Sequence, residues 1–111
     1  MAIPKPGKPV RGSTTGAPIM ALFDLLGRRW AMGIVWNLHA GPLTFRALQA
    51  LRGRTSGFIS PSVLNARIKD LQDAKLVART LDGYALTGLG QELFALIEPL
   101  EAYSQKWGKV L

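Results

Sequence analysis

Three polar side chains, spaced three and four residues apart, can hydrogen-bond to a partner from one side of a helix. They are Ser62, Asn65 and Lys69. An asparagine amide can make two hydrogen bonds to adenine, and a lysine ammonium reaches guanine acceptors or a phosphate, so the set suits base edges in a DNA groove. Ala66, on the same side, can at most contact a thymine methyl group. The alternative interpretation is an ordinary solvated helix face.

The helix that must position these side chains is marked by its start signals and by its apolar residues. Ser60 is a suitable N-cap, and Pro61 stands at the first helical position, where its missing N–H leaves no hydrogen bond unmade. Three apolar residues follow at the i, i+4, i+7 spacing of a buried stripe, namely Leu64, Ile68 and Leu71. We therefore predict a helix over residues 60–74 that turns the polar set outward.

A β-hairpin is predicted directly after this helix. Two runs of alternating β-forming residues, 76–81 and 84–87, flank the pair Asp82-Gly83. An Asp-Gly pair in this position is typical of a type I′ turn. Thr87 is then a suitable cap for a further helix.

Two apolar helices are predicted before this unit. The first covers residues 17–26 and ends at Gly27, and the second opens at residues 28–30 and runs through Leu38. Because the second is apolar nearly all round, we expect it to be buried nearly all round. Trp36 on this helix either packs in the core or lines an aromatic ligand cavity.

Two more helical segments complete the pattern. A Gly-Pro pair at 41–42 breaks the second helix, and Thr44 caps a short third helix with an apolar side made of Phe45, Leu48 and Leu51. The last segment, 91–111, is interrupted by Pro99, which should kink or split it. The chain is therefore predicted to be mainly α with one small β-hairpin.

Positive charge is unevenly distributed along the chain. There are 14 Lys and Arg residues against 7 Asp and Glu, a formal net charge of +7. Between positions 42 and 80 only Asp70 and Asp73 oppose the basic residues Arg46, Arg52, Arg54, Arg67, Lys69, Lys75 and Arg79. Such a surface suits a polyanion and would make binding steeply salt-dependent. A merely solubilising surface is the other interpretation.

The residue inventory argues against an enzyme, a metal site and a membrane protein. The chain has no cysteine and a single histidine, His39, which is expected to contact the last carbonyls of its helix rather than to sense pH. It has no glycine-rich phosphate loop and no convergent carboxylate pair. No apolar run approaches the roughly 18 residues of a membrane span, and no signal-peptide pattern is present. We expect no cofactor and a cytoplasmic location.

The domain organisation is predicted to be one domain behind a short arm. Residues 1–16 hold three prolines and three basic residues with few apolar ones, which is typical of a disordered basic arm. The arm is either a tail without a task or a segment that follows DNA phosphates or a minor groove. Residues 17–111 then form the domain. The whole chain has a high apolar fraction of 48% and three tryptophans, which indicates that some of its surface meets a partner subunit.

Four linked segments carry a family resemblance. They are a D-L-L-G-x-x-W opening, a G-P-L-x-F turn, an I-S-x-x-x-L-x-x-R-I-x-x-L helix and an L-T-x-L-G entry to the last helix. Their ordered combination, from about Pro18 to Trp107, resembles the HxlR-type winged helix-turn-helix transcriptional regulators, relatives of the MarR regulators. Unlike several members, this chain has no cysteine that could sense oxidants or electrophiles. Its wing, the hairpin around residues 81–84, is also shorter than is usual in the family.

The resemblance implies a homodimer with N- and C-terminal dimerisation helices that reads a near-palindromic DNA operator. Base contacts are assigned to Ser62, Asn65, Ala66 and Lys69. Contacts to the DNA backbone are assigned to Thr44, Arg46, Arg52, Arg54, Thr55, Ser56, Arg67 and Arg79, where Arg67 grips either a phosphate or an internal acid. The dimer interface is assigned to Ile19, Leu22, Phe23, Leu96, Leu100, Tyr103 and Trp107. A small-molecule effector stays unidentified, and the alternative function is a winged helix that binds proteins instead of DNA.

Overall fold

The computed structural model of the chain describes residues 3–50 and 59–111. Helices and strands follow in the order α1 (Pro18–Leu26), α2 (Ala31–Leu38), α3 (Phe45–Ala50), α4 (Pro61–Asp73), β1 (Val77–Thr80), β2 (Gly83–Leu86), α5 (Gly88–Ile97) and α6 (Leu100–Gly108). This is the predicted mainly α winged helix-turn-helix. Five residues to which the sequence analysis gave a role lie outside the described residues: Leu51, Arg52, Arg54, Thr55 and Ser56.

The core lies between α2 and α4. Its largest fully buried side chains are Val35 and Leu38 from α2, and Leu64, Ile68 and Leu71 from α4. The predicted apolar stripe of α4 is therefore confirmed. Among the described residues, every helix is too short or too polar to cross a bilayer.

The caps of α4 and α5 have the residues that the sequence predicts. The Ser60 hydroxyl accepts a hydrogen bond from the Val63 N–H at 3.3 Å, and Pro61 opens α4. Thr87 caps α5, because its hydroxyl accepts from the Gly90 N–H at 3.0 Å and also donates to the Lys75 carbonyl at 2.7 Å. This second bond ties the start of α5 to the end of α4.

The hairpin forms, but its predicted turn is wrong by one residue. Thr80 pairs with Gly83, so the two turn residues are Leu81 and Asp82 rather than Asp82 and Gly83. Neither has the positive φ that a type I′ turn requires, whereas Gly83, in the strand, has a φ of +124°. A Cβ on Gly83 would lie 2.4 Å from the Leu43 carbonyl oxygen. Glycine is thus needed for this close approach rather than for the turn.

Helix α2 begins later than predicted and is less completely buried. Trp30 precedes it with a left-handed φ of +77°, so the helix starts at Ala31 and not within residues 28–30. Met32 is exposed, which contradicts burial on nearly all sides. Trp36 packs edge to face on Phe94 at 5.2 Å between ring centroids. Of the two roles predicted for Trp36, this is packing in the core. His39 contacts the Trp36 carbonyl oxygen at the helix end, as predicted.

The C-terminal segment is split as predicted. Helix α5 ends at Ile97, and Pro99 precedes α6. Helix α5 buries Leu93, Phe94 and Ile97, whereas α6 buries no residue.

Residues 3–16 fold against α1 instead of extending away from it. The Gly7 N–H donates to the Gly16 carbonyl at 2.8 Å, and Val10 pairs with Ser13 in a short bridge. Arg11 forms an ion pair with Asp24 of α1, with 3.2 Å between Nε and Oδ1. The division of the chain into an arm and a domain stays a prediction.

Candidate nucleic-acid interface

The outer face of α4 presents the predicted base-reading residues together. Ser62, Asn65, Ala66 and Lys69 are all exposed, while Leu64 on the opposite face is buried. The cause is local, because the apolar stripe faces α2 and leaves the polar positions about half a turn away. Hydrogen-bonding groups on this face are therefore available to a partner.

Arg67 lies on the flank of α4 and contacts an internal acid. Its Nη1 donates to Oδ2 of Asp70, which also accepts from Nη1 of Arg28 at 3.1 Å. The Asp70 side chain is 10% exposed, so a carboxylate on the helix flank is buried between two arginines. Of the two roles predicted for Arg67, the contact with an internal acid is the one present. The sequence analysis missed Arg28 as its companion.

The candidates for backbone contacts gather where α3 begins and the hairpin turns. The Thr44 hydroxyl accepts from the Ala47 N–H at 3.1 Å and caps α3, and Arg46 is exposed on its first turn. Arg79 is exposed on β1, with its guanidinium 5.3 Å from the centroid of the Tyr84 ring. An open concave surface of about 620 Å³ lies between the start of α3 and the hairpin, and both Thr44 and Arg79 line it. Four other candidates, at positions 52 and 54–56, are outside the described residues.

The hairpin is attached to the turn before α3 by a backbone bridge. The Leu43 N–H donates to the Tyr84 carbonyl at 2.9 Å, and the Tyr84 N–H donates back to Leu43 at 2.8 Å. Leu43 thereby adds a third short strand segment to the two-stranded sheet. This bridge fixes Thr44 and Arg79 on one side of the molecule.

The candidate dimer residues lie on α1 and on the last two helices. Most of these apolar side chains are at least half exposed: Ile19, Phe23, Leu96, Leu100, Tyr103 and Trp107. Leu22 is half-buried and faces an apolar cleft of about 600 Å³, which lies between residues 3–6, α1 and α5. The sequence analysis did not predict this cleft, since it depends on how residues 3–6 fold back.

Comparison with known proteins identifies the same family that the sequence motifs resemble. The profile of the HxlR-like helix-turn-helix family matches residues 25–110. The chain is 28% identical over 103 residues to the HTH-type transcriptional regulator YodB of Bacillus subtilis, which covers 86% of this chain and 88% of YodB. It is 26% identical over 88 residues to an uncharacterized HTH-type transcriptional regulator of Methanocaldococcus jannaschii, covering 79% and 83% of the two chains.

Solved structures agree with the fold. Quinone-bound YodB from B. subtilis superposes with a TM-score of 0.70 at 30% identity, covering 79% of this chain and 96% of YodB. A possible HxlR family transcriptional factor from Thermoplasma volcanium superposes with a TM-score of 0.65 at 31% identity, covering 79% and 82%. The predicted family resemblance and winged helix-turn-helix fold are confirmed.

Proposed function

Since the chain belongs to the HxlR-like helix-turn-helix family of transcriptional regulators, we propose that it binds a specific double-stranded DNA site as a homodimer. In this proposal α4 lies in the major groove, and α3 and the hairpin grip the phosphates on either side. A two-fold symmetric pair of α4 helices selects a near-palindromic operator.

The observation that carries the proposal is the outer face of α4. A helix held to its domain by fully buried Leu64, Ile68 and Leu71 presents Asn65 and Lys69 to solvent. The major groove admits an α-helix, and these are the side-chain types that pair with adenine and guanine edges. The four residues of this face are polar or small, and the exposed large apolar side chain of α4, Val63, lies on its flank.

The distribution of charged residues also supports DNA binding on the side formed by α3, α4 and the hairpin. Arg79 is exposed and lines the concave surface between α3 and the hairpin together with the acid Asp82, and Arg46 is exposed on the first turn of α3. In contrast, three of the four acids after residue 81, namely Glu92, Glu98 and Glu101, lie on or between α5 and α6. The phosphates therefore meet the basic side of the chain, while the C-terminal helices are left for a partner subunit.

The homodimer is supported by the exposed apolar residues of α6. An isolated nine-residue helix is marginal in water, so α6, which buries no residue of its own, is expected to gain stability from a second subunit. Leu100, Tyr103 and Trp107 of α6 are each more than half exposed, and apolar side chains gathered on one surface are what a partner subunit covers.

An effector is proposed only in general terms. The relative YodB has been solved with quinone bound. This sequence has no cysteine, so a bound electrophile cannot be captured by a thiolate here. Any effector would be held by noncovalent contacts or by other nucleophiles.

The test is selection of preferred duplexes from a random pool, followed by affinity measurements on Asn65→Ala and Lys69→Ala. Each substitution is expected to weaken binding to the selected site by about 1 to 3 kcal/mol, roughly fivefold to more than a hundredfold. For Asn65→Ala, affinity for mixed-sequence duplex should stay unchanged, since that affinity comes from phosphates.

Matched controls are Gln91→Ala on α5 and Lys106→Ala on α6, which remove an exposed amide and an exposed charge outside α4. Equal losses in the controls, or unchanged discrimination in the α4 variants, would show that another face reads DNA. No salt-sensitive association with any duplex would favour the protein-binding alternative.

A further inference from the structure

A second basic feature lies on the flank of α4, away from the base-reading face. Four arginines and two aspartates line an open pocket of about 520 Å³ between residue 11, the α1–α2 turn and α4. We name it the arginine pocket; its arginines are Arg11, Arg28, Arg29 and Arg67. Four positive charges against two negative ones leave the pocket with a formal charge of +2.

The two carboxylates are already engaged, so they do not neutralise the remaining charge. Asp70 is shared by Arg28 and Arg67, and Asp24 is paired with Arg11. Arg29 pairs with no carboxylate among the described residues, and its guanidinium lies 4.8 Å from the centroid of the Trp30 ring. A stacked guanidinium keeps its in-plane N–H donors free for an acceptor.

One donor in the arginine pocket is buried without an acceptor. Nε of Arg67 is out of contact with solvent, and no described residue accepts its hydrogen. An unpaired buried N–H is unfavourable, and more so in a charged group, so a turn of the Arg67 side chain that brings Nε to an acceptor oxygen in the pocket would relieve it. The pocket thus combines excess positive charge with donors that lack acceptors.

We infer that the arginine pocket binds a phosphate group. Phosphate carries up to two negative charges and several acceptor oxygens, which matches the charge of the pocket and the fork-shaped donors of arginine. The pocket volume also leaves room for the ester substituent of a larger molecule. Because Ala66 lines both the pocket and the outer face of α4, the phosphate comes either from DNA beside the major groove or from a free phosphate ester.

A bound phosphate would act on the position of α4. Arg28 comes from the α1–α2 turn and Arg67 from α4, and Asp70 holds both of them. An anion that bridges Arg29 and Arg67 would add a second link between the same two elements. Occupancy is therefore expected to stiffen the attachment of the reading helix.

The experiment follows the Arg67 Nε–H resonance of the full chain by NMR while inorganic phosphate replaces sodium chloride at constant ionic strength. We expect a saturable shift, and about tenfold weaker phosphate binding in Arg29→Gln, because a charged hydrogen bond is lost. The control Lys109→Gln removes one exposed positive charge after α6 and should bind phosphate like the unmodified chain.

A second titration, with mixed-sequence duplex, identifies the source of the phosphate. A shift with duplex alone assigns the pocket to the DNA backbone, and a shift with inorganic phosphate alone assigns it to a free ester. No shift with either probe, or equal weakening in Lys109→Gln, overturns the inference. Duplex binding without the shift would leave the proposed function intact, and a phosphate shift without any duplex binding would leave the pocket intact.

Discussion

Replacing Gly90 with alanine tests how closely α5 is packed against the start of the hairpin. Gly90 lies in the first turn of α5, is buried, and has Leu76 as its neighbour. A Cβ at this position would lie 2.2 Å from the Leu76 carbonyl oxygen and 3.2 Å from the Leu86 Cβ. The nearest atom is backbone, so it cannot move aside without displacing the strand.

Two opposing effects set the magnitude. Alanine is favoured over glycine within a helix by about 1 kcal/mol. Against this, overpacking costs about 1 to 3 kcal/mol. Moving α5 outward would also weaken the bond from the Thr87 N–H to the Leu76 carbonyl, now 3.0 Å, at about 1 kcal/mol. We expect the clash to win, with Gly90→Ala lowering the free energy of unfolding by about 1 to 3 kcal/mol.

The matched control is Gly88→Ala, two residues earlier on the same helix. A Cβ on Gly88 has no neighbour within 4 Å, so this variant should be neutral or more stable by up to about 1 kcal/mol. Urea denaturation of both variants at equal protein concentration gives the comparison, because the stability of the proposed dimer would depend on concentration. Equal stability of the two variants would refute the close packing of α5 on Leu76.

Three further predictions concern α4 and the proposed dimer. Ser60→Ala should lower the free energy of unfolding by about 1 kcal/mol in urea denaturation, and no change would mean that the cap contributes nothing. Asp70→Asn should lower it by about 2 to 4 kcal/mol, because two half-buried arginines lose their counter-charge, whereas exposed Asp73→Asn should change it by less than about 0.5. Leu100→Glu should shift sedimentation from dimer to monomer; an unmodified chain that sediments as a monomer would contradict the proposed interface.

Local signals in the sequence were sufficient for the helices that carry the site. Ser60 caps α4 and Thr87 caps α5, as their hydroxyl side chains and the residues that follow them predict. Leu64 and Leu71 are buried, as their helical spacing predicts. These features depend on neighbours within one or two turns, so sequence spacing contains the necessary information.

The features that were missed depend on contacts between distant segments. The turn moved by one residue because Gly83 must admit the backbone of Leu43, which lies forty residues earlier. Arg28 joined the site because it reaches Asp70 across forty-two residues. Neither contact affects the local propensity of its residues, so the sequence predicts the helices and strands but not the contacts between them.

The reciprocal bridge between Leu43 and Tyr84 has a consequence for recognition. It joins the loop before α3 to the hairpin, so in the proposed DNA complex the two elements that contact the backbone would form one pre-organised unit. Because the bridge already orders both elements, they lose little conformational entropy on binding, and little binding free energy is used to order a loop. A short hairpin can then still contribute to binding, because the bridge holds it in a fixed orientation.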